Sequence, residues 1–505
     1  MSTNRSTTTG SLLTALCPDL RTALTRVGYD ADTLLEVLGD AHAALGRSEP
    51  VPVRRAARRA GELGTLIRLL LLGDALPERE VAGAIAPVAI DRAVAAGLLD
   101  RDGDQVRAAL DLRPLDAGAG TRWVLSDLDD SMHRRTLTEE HVLGVGHASL
   151  SLLRATPTRP VGTVLDLGTG CGVQAVHAAS YARRVTATDV NPRALWLAEA
   201  TAALNELDIE LMEGSWFEPV RGRRFDQVVA NPPFVVGPGR VEHTYRDSGL
   251  ALDGASELVI AQAADLLAPG GTAAMLAAWV HVENEDWRGR VASWLPAHGV
   301  DAWVVQRDVA DPALYVGTWL RDAGADPRDP AAQARAERWL DAFEAADVEG
   351  IGFGFVYLRS IDGPTELLAE DLTHGFEDPL GEEAVRYFER SAWLRAVAGD
   401  ESLAWSSRFA VDPATALERV YLRGEEGWAP EVARLHRGDG PRWQHEVDEA
   451  TIALLAGMHA EGLPLYELIE LLALAHGSEQ VSAEFAADAL SVVTGLVRHG
   501  LIRPV

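Results

Sequence analysis

Short apolar runs alternate with amphipathic stretches through the middle of the chain, and this alternation is the feature that most restricts the possible fold. Segments with helical periodicity separate these runs. Strands separated by helices predict βαβ units and a largely parallel sheet covered on both faces. We therefore predict an α/β fold with a seven-stranded core. The seven predicted strands are Thr163–Leu167, Arg184–Thr188, Ile209–Glu213, Phe225–Ala230, Gly271–Ala278, Ala302–Val309 and Gly352–Leu358.

The chain has 505 residues, a length that predicts about three domains. We place the boundaries at 1–135, 136–362 and 363–505. The first and third domains are predicted to be mainly helical, and each contains a winged-helix-like unit. In the middle domain, Asp311–Glu349 is predicted to be a helical insertion, with Trp319 and Trp339 packing onto the sheet.

Charge and composition exclude several functional classes. Asp and Glu number 75 and Lys and Arg 46, a net charge of −29, and every one of these cations is arginine. An acidic total disfavours binding to phosphate backbones, and the lack of lysine excludes Schiff-base and Walker-type chemistry. Two cysteines and no signal or membrane segment indicate a cytoplasmic protein. We predict no metal site.

A glycine-rich turn follows the first strand of the middle domain. The turn contains Gly168, Thr169, Gly170, Cys171 and Gly172, and Asp166 precedes it in the strand. Glycines allow a tight turn and a close approach of the backbone to a ligand. Asp189 ends the next strand, where an acid accepts hydrogen bonds from both hydroxyls of a ribose. The turn does not continue as G-x-G-x-x-G, and an acid two positions ahead of the glycines resembles the pattern of methyltransferases. This resemblance implies S-adenosylmethionine (SAM) and not NAD as the cofactor.

The sequence Asn231-Pro232-Pro233-Phe234 directly follows the fourth strand. Here the chain resembles the Asn-Pro-Pro-Tyr/Phe class of Rossmann-type N-methyltransferases, which includes release-factor glutamine and ribosomal-RNA guanine and adenine methyltransferases. The resemblance covers residues 141–280. It implies that the Asn231 side chain and the Pro232 carbonyl accept hydrogen bonds from a planar nitrogen, and that Phe234 stacks on its π-system.

Two further segments resemble the same class. Trp216 matches a tryptophan that packs near the cofactor adenine in glutamine methyltransferases, and Ser215 stands where those enzymes usually carry aspartate. Leu143–Ser149 is similar to a glycine-containing segment of the RNA guanine methyltransferases that closes over the cofactor. Its His147 is interpreted as a packing or surface residue in preference to a substrate contact.

There are three hypotheses for the acceptor of the methyl group. The acidic charge favours a protein or peptide nitrogen, and the continuation Phe234–Pro238 resembles that of eukaryotic-type release-factor enzymes. An RNA or DNA base is the second hypothesis, because the phenylalanine of the motif is common among RNA methyltransferases. A small-molecule acceptor is the third hypothesis, and a binding module with a methyltransferase fold is the non-enzymatic one. Residues 447–505 are similar in apolar pattern to winged-helix peptide binders. The oligomeric state is not indicated.

Overall fold

The structure is a computed structural model that describes residues 3–116, 118, 120–128, 140–239, 247–322, 325–372, 375–376, 379–425, 427–477 and 480–505. The predicted boundary between the first two domains, at residues 135 and 136, lies outside these residues. Two compact units are present. The first combines Met1–Leu153 with Thr158–Glu370, and the second combines Arg154–Pro157 with Asp371–Val505.

The first unit begins with a helical region that carries two small antiparallel sheets. A 3₁₀ helix at Gly39–Arg47 and a π-helix at Ile67–Leu71 join some of its elements. Its helices are α1 (Thr3–Val27), α2 (Ala31–Leu38), α3 (Pro50–Ala57), α4 (Gly61–Leu66), α5 (Glu78–Ala84) and α6 (Ile90–Ala95). Its strands are β1 (Leu76–Pro77), β2 (Leu99–Asp102), β3 (Gln105–Ala108), β4 (Leu110–Asp116) and β5 (Thr121–Asp127).

The remaining elements of the first unit form a sheet with helices between its strands. Its helices are α7 (His147–Ala155), α8 (Val173–Ala178), α9 (Pro192–Leu204), α10 (Gly254–Asp265), α11 (Trp287–Ser293), α12 (Pro312–Asp322) and α13 (Pro330–Glu344). Its strands are β6 (Val161–Leu167), β7 (Ala182–Asp189), β8 (Ile209–Glu213), β9 (Phe225–Ala230), β10 (Gly237–Pro238), β11 (Ala251–Leu252), β12 (Leu267–Val282), β13 (His298–Ala310), β14 (Val348–Pro364) and β15 (Glu366–Asp371).

The large sheet has eight strands in the order β15-β13-β14-β12-β9-β6-β7-β8. Strands β6, β7, β8, β9 and β12 run parallel, and β14 lies antiparallel between β12 and β13. This confirms the α/β class, but the predicted count of seven strands was wrong. The eighth strand, β15, follows β14 after one residue and pairs beside β13, so the sheet extends past residue 362.

The order of the strands creates a topological switch point between β6 and β9. The chain proceeds from β6 to β7 and β8 on one side, and then returns to β9 and β12 on the other. Leu167, the last residue of β6, pairs with Ala230, the last residue of β9. Ligands of doubly wound sheets bind at such a crevice, outside the carboxyl ends of the strands.

The helical N-terminal region shares a core with the sheet region. Apolar residues at three- and four-residue spacing on α1, from Leu13 to Leu24, are almost fully buried, and α1 packs along α9. The main chain of Trp123 in β5 exchanges two hydrogen bonds with the Asn205 side chain, at 2.9 and 2.7 Å. The two regions therefore form one body around α9.

The second unit combines helices with a three-stranded antiparallel sheet and a two-stranded antiparallel pairing. Within the described residues of the whole chain, no helix combines the length and apolarity needed to span a bilayer. The helices of the unit are α14 (Leu380–Gly399), α15 (Ser402–Ser406), α16 (Glu449–Gly457), α17 (Leu465–Ala475) and α18 (Ala483–Arg498). Its strands are β16 (Phe409–Val411), β17 (Thr415–Gly424), β18 (Gly427–Arg437), β19 (Gln444–Val447) and β20 (Ile502–Pro504).

Candidate active site

The glycine-rich turn lies at the carboxyl end of β6, as predicted. Gly168 and Gly170 have φ angles of 70° and 55°. Apart from each glycine and its two chain neighbours, no described residue places an atom within 4 Å of the position that a Cβ would take. The N–H groups of Gly168 and Thr169 both donate to the carbonyl of Thr188, at 2.9 Å. The turn is thus fastened to β7 and leaves open space where side chains would stand, which suits close approach of a ligand to the backbone.

Asp189 ends β7 beside this turn. Its Oδ2 accepts the Gly170 N–H at 2.9 Å, and its Oδ1 accepts the Asn191 N–H at 2.8 Å. Burial raises the pKa of the carboxyl, although these backbone donors act in the opposite direction. Each carboxylate oxygen has two lone pairs, so Asp189 is held in place and can still accept hydrogen bonds from two hydroxyl groups.

Asp166 lies beneath the turn and is 1% exposed. Its carboxylate accepts the hydroxyl of Thr169 at 2.6 Å. Burial raises its pKa to about 7, against the lowering effect of that hydrogen bond. A bound cation would favour the ionised form.

Cys171 was predicted to line the cofactor, but its side chain packs in the hydrophobic core that includes Val173 and Leu197. Burial raises the pKa of its thiol to about 12. The thiol therefore stays protonated, and the backbone of Cys171 is its only part available to a ligand in the turn.

Residues 213–219 continue the same edge of the sheet after β8. Trp216 has a φ of 49° and packs, half-buried, against the core beneath it, while Ser215 is exposed. A left-handed backbone is rare for a bulky residue and occurs where the surroundings hold it. The Gly214 N–H donates to the Asp189 carbonyl at 3.0 Å, which sets this segment beside the acid that ends β7.

The Asn-Pro-Pro-Phe segment leaves the sheet on the other side of the switch point. Because Ala230 pairs with Leu167, Asn231 follows directly beside the start of the glycine turn. Asn231 and Phe234 are half-buried, and Pro232 is buried. The predicted cofactor and acceptor residues therefore converge on one edge of the sheet.

The inserted helices support this segment from outside the sheet. The Val236 N–H donates to the hydroxyl of Tyr315 in α12 at 2.8 Å. Trp339 in α13 lies against Gly237, and Phe234 packs on the same apolar cluster. Trp319 also packs against that cluster, as predicted. Sequence reasoning did not identify Tyr315, because no local pattern marks a contact across 79 positions.

Several other residues near the site were missed or were given no role. Gln174 donates from its Nε2 to the Ser149 carbonyl at 2.8 Å, which joins α8 to α7. Asn191 caps α9 by accepting the Arg193 N–H at 2.9 Å, a role that the sequence Asn-Pro could have indicated. His147 is exposed at the start of α7.

Comparison with known families separates the chain into three matched stretches. Residues 143–282 match the family described as the methyltransferase small domain. Residues 26–109 and 385–504 match two families described as domains of unknown function, DUF7059 and DUF7782. The match to the methyltransferase small domain covers the glycine turn, Asp189 and the Asn-Pro-Pro-Phe segment. Residues 143–282 are therefore similar to a methyltransferase domain.

Individual relatives are similar over the same region. The release factor glutamine methyltransferase of Moorella thermoacetica is 37% identical over 126 residues, which are 22% of this chain and 44% of that protein. The ribosomal RNA small subunit methyltransferase C of Erwinia tasmaniensis is 37% identical over 93 residues, which are 18% and 27% of the two chains. The matched segments thus span less than half of these relatives. Both relatives are named as methyltransferases.

One solved structure with a similar arrangement is the T. thermophilus 16S rRNA N2 G1207 methyltransferase in complex with AdoMet and guanosine. It is 18% identical, covers 43% of this chain and 58% of its own, and gives a TM-score of 0.27. The assignment of the fold depends on the observed strand order and not on this superposition.

Proposed function

We propose that the protein transfers a methyl group from SAM to a planar amide or amino nitrogen, most favourably in a protein or peptide. The observation that carries the proposal is the placement of Asn231 beside the glycine turn across the β6–β9 switch point. A nucleophilic nitrogen held at Asn231 and a methyl donor held at the glycine turn would meet at one edge of the sheet.

The residues on the β6–β8 side fit SAM. Asp189 would accept hydrogen bonds from the ribose hydroxyls, and the open space at Gly168 and Gly170 suits the amino-acid end of the cofactor. An ammonium group there would favour the ionised form of the buried Asp166. The backbone of Thr169, Cys171 and Gly172 would complete the turn. SAM supplies an electrophilic methyl group on a sulfonium centre.

Trp216 would pack near the adenine, with Ser215 at the rim. Trp216 is half-buried and held by the core, whereas Ser215 is exposed. A rigid apolar ring next to an exposed polar residue suits an adenine base that has one face covered by the protein and its edge exposed to solvent.

The residues on the β9 side act on the acceptor. The Asn231 side chain and the Pro232 carbonyl would accept hydrogen bonds from the acceptor N–H groups, favouring positive charge as it builds on nitrogen. Phe234 would stack on the planar group. The nitrogen can lose its proton to water after transfer, so we assign no general base.

The charge around the acceptor side supports a protein or peptide in preference to a nucleic acid. The three arginines in the described stretches 281–290, 307–311 and 347–350 each pair with an acid: Arg288 with Asp286, Arg290 with Asp253, and Arg307 with Asp308. Phosphate groups would approach this edge against an excess of negative charge. The exposed acids of these stretches are Glu283, Glu285, Asp286, Asp308, Asp311, Asp347 and Glu349.

The flanking regions fit the same preference. We interpret residues 1–135 and 363–505 as winged-helix-like regions that flank the methyltransferase domain in sequence, the first of which shares a core with the sheet region. Arg92 is the single cation of α6, and it pairs with Asp19 at 2.7 Å. That helix therefore offers little charge to a phosphate backbone.

Cys17 and Cys171 are buried free thiols, which is consistent with a reducing cytoplasm.

Methyl transfer from labelled SAM into fractionated host extract tests the proposal. Label should enter the protein or peptide fraction with the wild-type chain, and the Asn231→Ala variant should lose most of it. Label in RNA would replace the preferred acceptor with a nucleic-acid base, and label in small molecules would replace it with a metabolite. If the wild-type chain transfers no label to any fraction and binds no SAM, the proposed activity is wrong.

A further inference from the structure

The short segment at residues 140–142 is anchored on one buried acid at the end of β5. The Asp127 N–H donates to the Val142 carbonyl at 3.1 Å, and the Val142 N–H donates back to Asp127 Oδ2 at 3.0 Å. Asp127 is 9% exposed. Its backbone and its carboxylate together hold Val142 beside the strand.

The same carboxylate binds the first turn of α9. Arg193 Nε donates to Asp127 Oδ2 at 2.9 Å, and Arg193 Nη2 donates to Oδ1. The guanidinium also lies 5.0 Å from the ring centre of Trp196. A fork of two parallel hydrogen bonds fixes orientation as well as distance. Asp127 thus joins the segment at Val142 to the start of α9.

The start of α9 follows directly on the acid that ends β7. The Asn191 N–H donates to Asp189 Oδ1, and the Asn191 side chain caps α9. The same side chain donates from Nδ2 to the Glu140 carbonyl at 3.0 Å. Residues 140–142 are therefore joined to the corner containing Asp189 by two separate links, one through Arg193 and one through Asn191.

We propose that the Asp127–Arg193 pair is a positioning pair that sets the affinity for SAM, which rests on the proposed function. It holds residues 140–142 and the Asp189–α9 corner in one arrangement before the cofactor binds. Pre-organisation of this kind lowers the ordering that binding requires. Neither residue needs to touch the cofactor, so the pair acts through Asn191 and Asp189.

The test is SAM affinity measured by calorimetry on Asp127→Asn and Arg193→Lys. The first change removes the charge at nearly constant shape, and the second keeps the charge but loses the fork. The dissociation constant should rise about 10-fold or more in each, in the range of coupling between sites. At saturating SAM, kcat should stay within about 3-fold of wild type, because the reacting groups are unchanged.

Arg21→Gln provides the matched control. Arg21 Nη2 lies 2.6 Å from Glu206 Oε1 and also joins the N-terminal region to the α9 region, but at the far end of that helix. This variant should bind SAM like the wild type. Thermal unfolding of all variants separates a loss of stability from a loss of affinity.

The outcomes are distinct. If folded Arg193→Lys binds SAM as tightly as the wild type and has only a lower melting temperature, the pair is merely structural and the inference is wrong. Arg193→Lys alone decides the matter if Asp127→Asn does not fold. If the wild-type chain binds SAM and both variants bind it with the same affinity as the wild type, this inference is wrong and the proposed function stands. A wild-type chain that binds no SAM overturns both.

Discussion

The hydroxyl of Tyr315 accepts a hydrogen bond from the backbone N–H of Val236 at 2.8 Å, and both residues are buried. This contact fastens the inserted helix α12 to the loop that begins at Asn231. A loop that presents hydrogen-bond acceptors to a reacting nitrogen has to keep its geometry, since small displacements of positioning groups reduce the rate strongly. The insertion therefore supports the segment that we propose to hold the acceptor.

Tyr315→Phe tests this support. The change leaves the buried Val236 N–H without its acceptor, which costs about 1–3 kcal/mol. We expect kcat/KM for the acceptor to fall roughly 10-fold, for a misplaced loop, while SAM affinity stays unchanged. Tyr181→Phe is the control, because Tyr181 donates a partly buried hydrogen bond to Gln227 in the sheet at 2.7 Å. It should lower stability and leave acceptor kinetics intact.

Asn231→Ala separates chemistry from binding. The hydrogen bond that the side-chain oxygen accepts becomes stronger as positive charge develops on the acceptor nitrogen. We expect kcat to fall by about 10²–10³-fold, by analogy with the loss of one pre-organised hydrogen-bonding group, and SAM affinity to fall much less. Phe234→Ala should instead weaken acceptor binding first. Unchanged kcat in Asn231→Ala at saturating SAM would contradict transfer to a planar nitrogen.

Asp189→Ala tests the cofactor assignment. The substitution removes the acceptor of two hydroxyl donors and also leaves the N–H groups of Gly170 and Asn191 without their partner. The dissociation constant for SAM should rise by about 10- to 100-fold, as expected for a loss of about 1–3 kcal/mol in a desolvated site. Calorimetry that returned wild-type affinity would remove Asp189 from the site.

The raised pKa of Asp166 predicts a pH dependence of stability. The unfolded chain ionises this group near pH 4, whereas the folded protein holds the proton up to about pH 7. The folded state binds more protons across this window, so the contribution of Asp166 to stability falls as pH rises from about 4 to 7 and stays low above it.

Asp166→Asn removes that effect. Without SAM, the variant should gain stability relative to the wild type on going from pH 5 to pH 8, as measured by urea unfolding. SAM should stabilise the wild type more at pH 8 than at pH 5, because its ammonium group favours the ionised carboxylate. A difference between the two proteins that does not vary with pH would show that Asp166 ionises normally in the folded state.

Salt dependence distinguishes the acceptor classes. A protein or peptide acceptor should give activity that changes only modestly with salt, since exposed charge contacts are few and screened. Binding through six or more phosphates would lose orders of magnitude of affinity between about 50 and 200 mM salt. A steep decline of kcat/KM over this range would favour a nucleic acid in spite of the acidic edge.

Local patterns in the chain were sufficient to predict the α/β core and most of the candidate site. The apolar runs matched strands β6 to β9, and Asp166, Asp189 and Asn231 each stand at a strand end. Because parallel strands end at a common edge, residues at those ends are brought together without knowledge of any distant contact. The glycine turn and the Asn-Pro-Pro-Phe segment are each a continuous stretch of sequence that directly follows a strand.

The tertiary structure alone decided how these pieces are held. The strand order, the eighth strand and the burial of the Cys171 side chain depend on packing between elements that no local pattern encodes. The ties from Asp127 to Arg193 and from Val236 to Tyr315 cross 66 and 79 positions. Such pairs form because folding brings specific side chains within hydrogen-bond distance, whereas the sequence determines only the periodicity and the residue types available at each strand end.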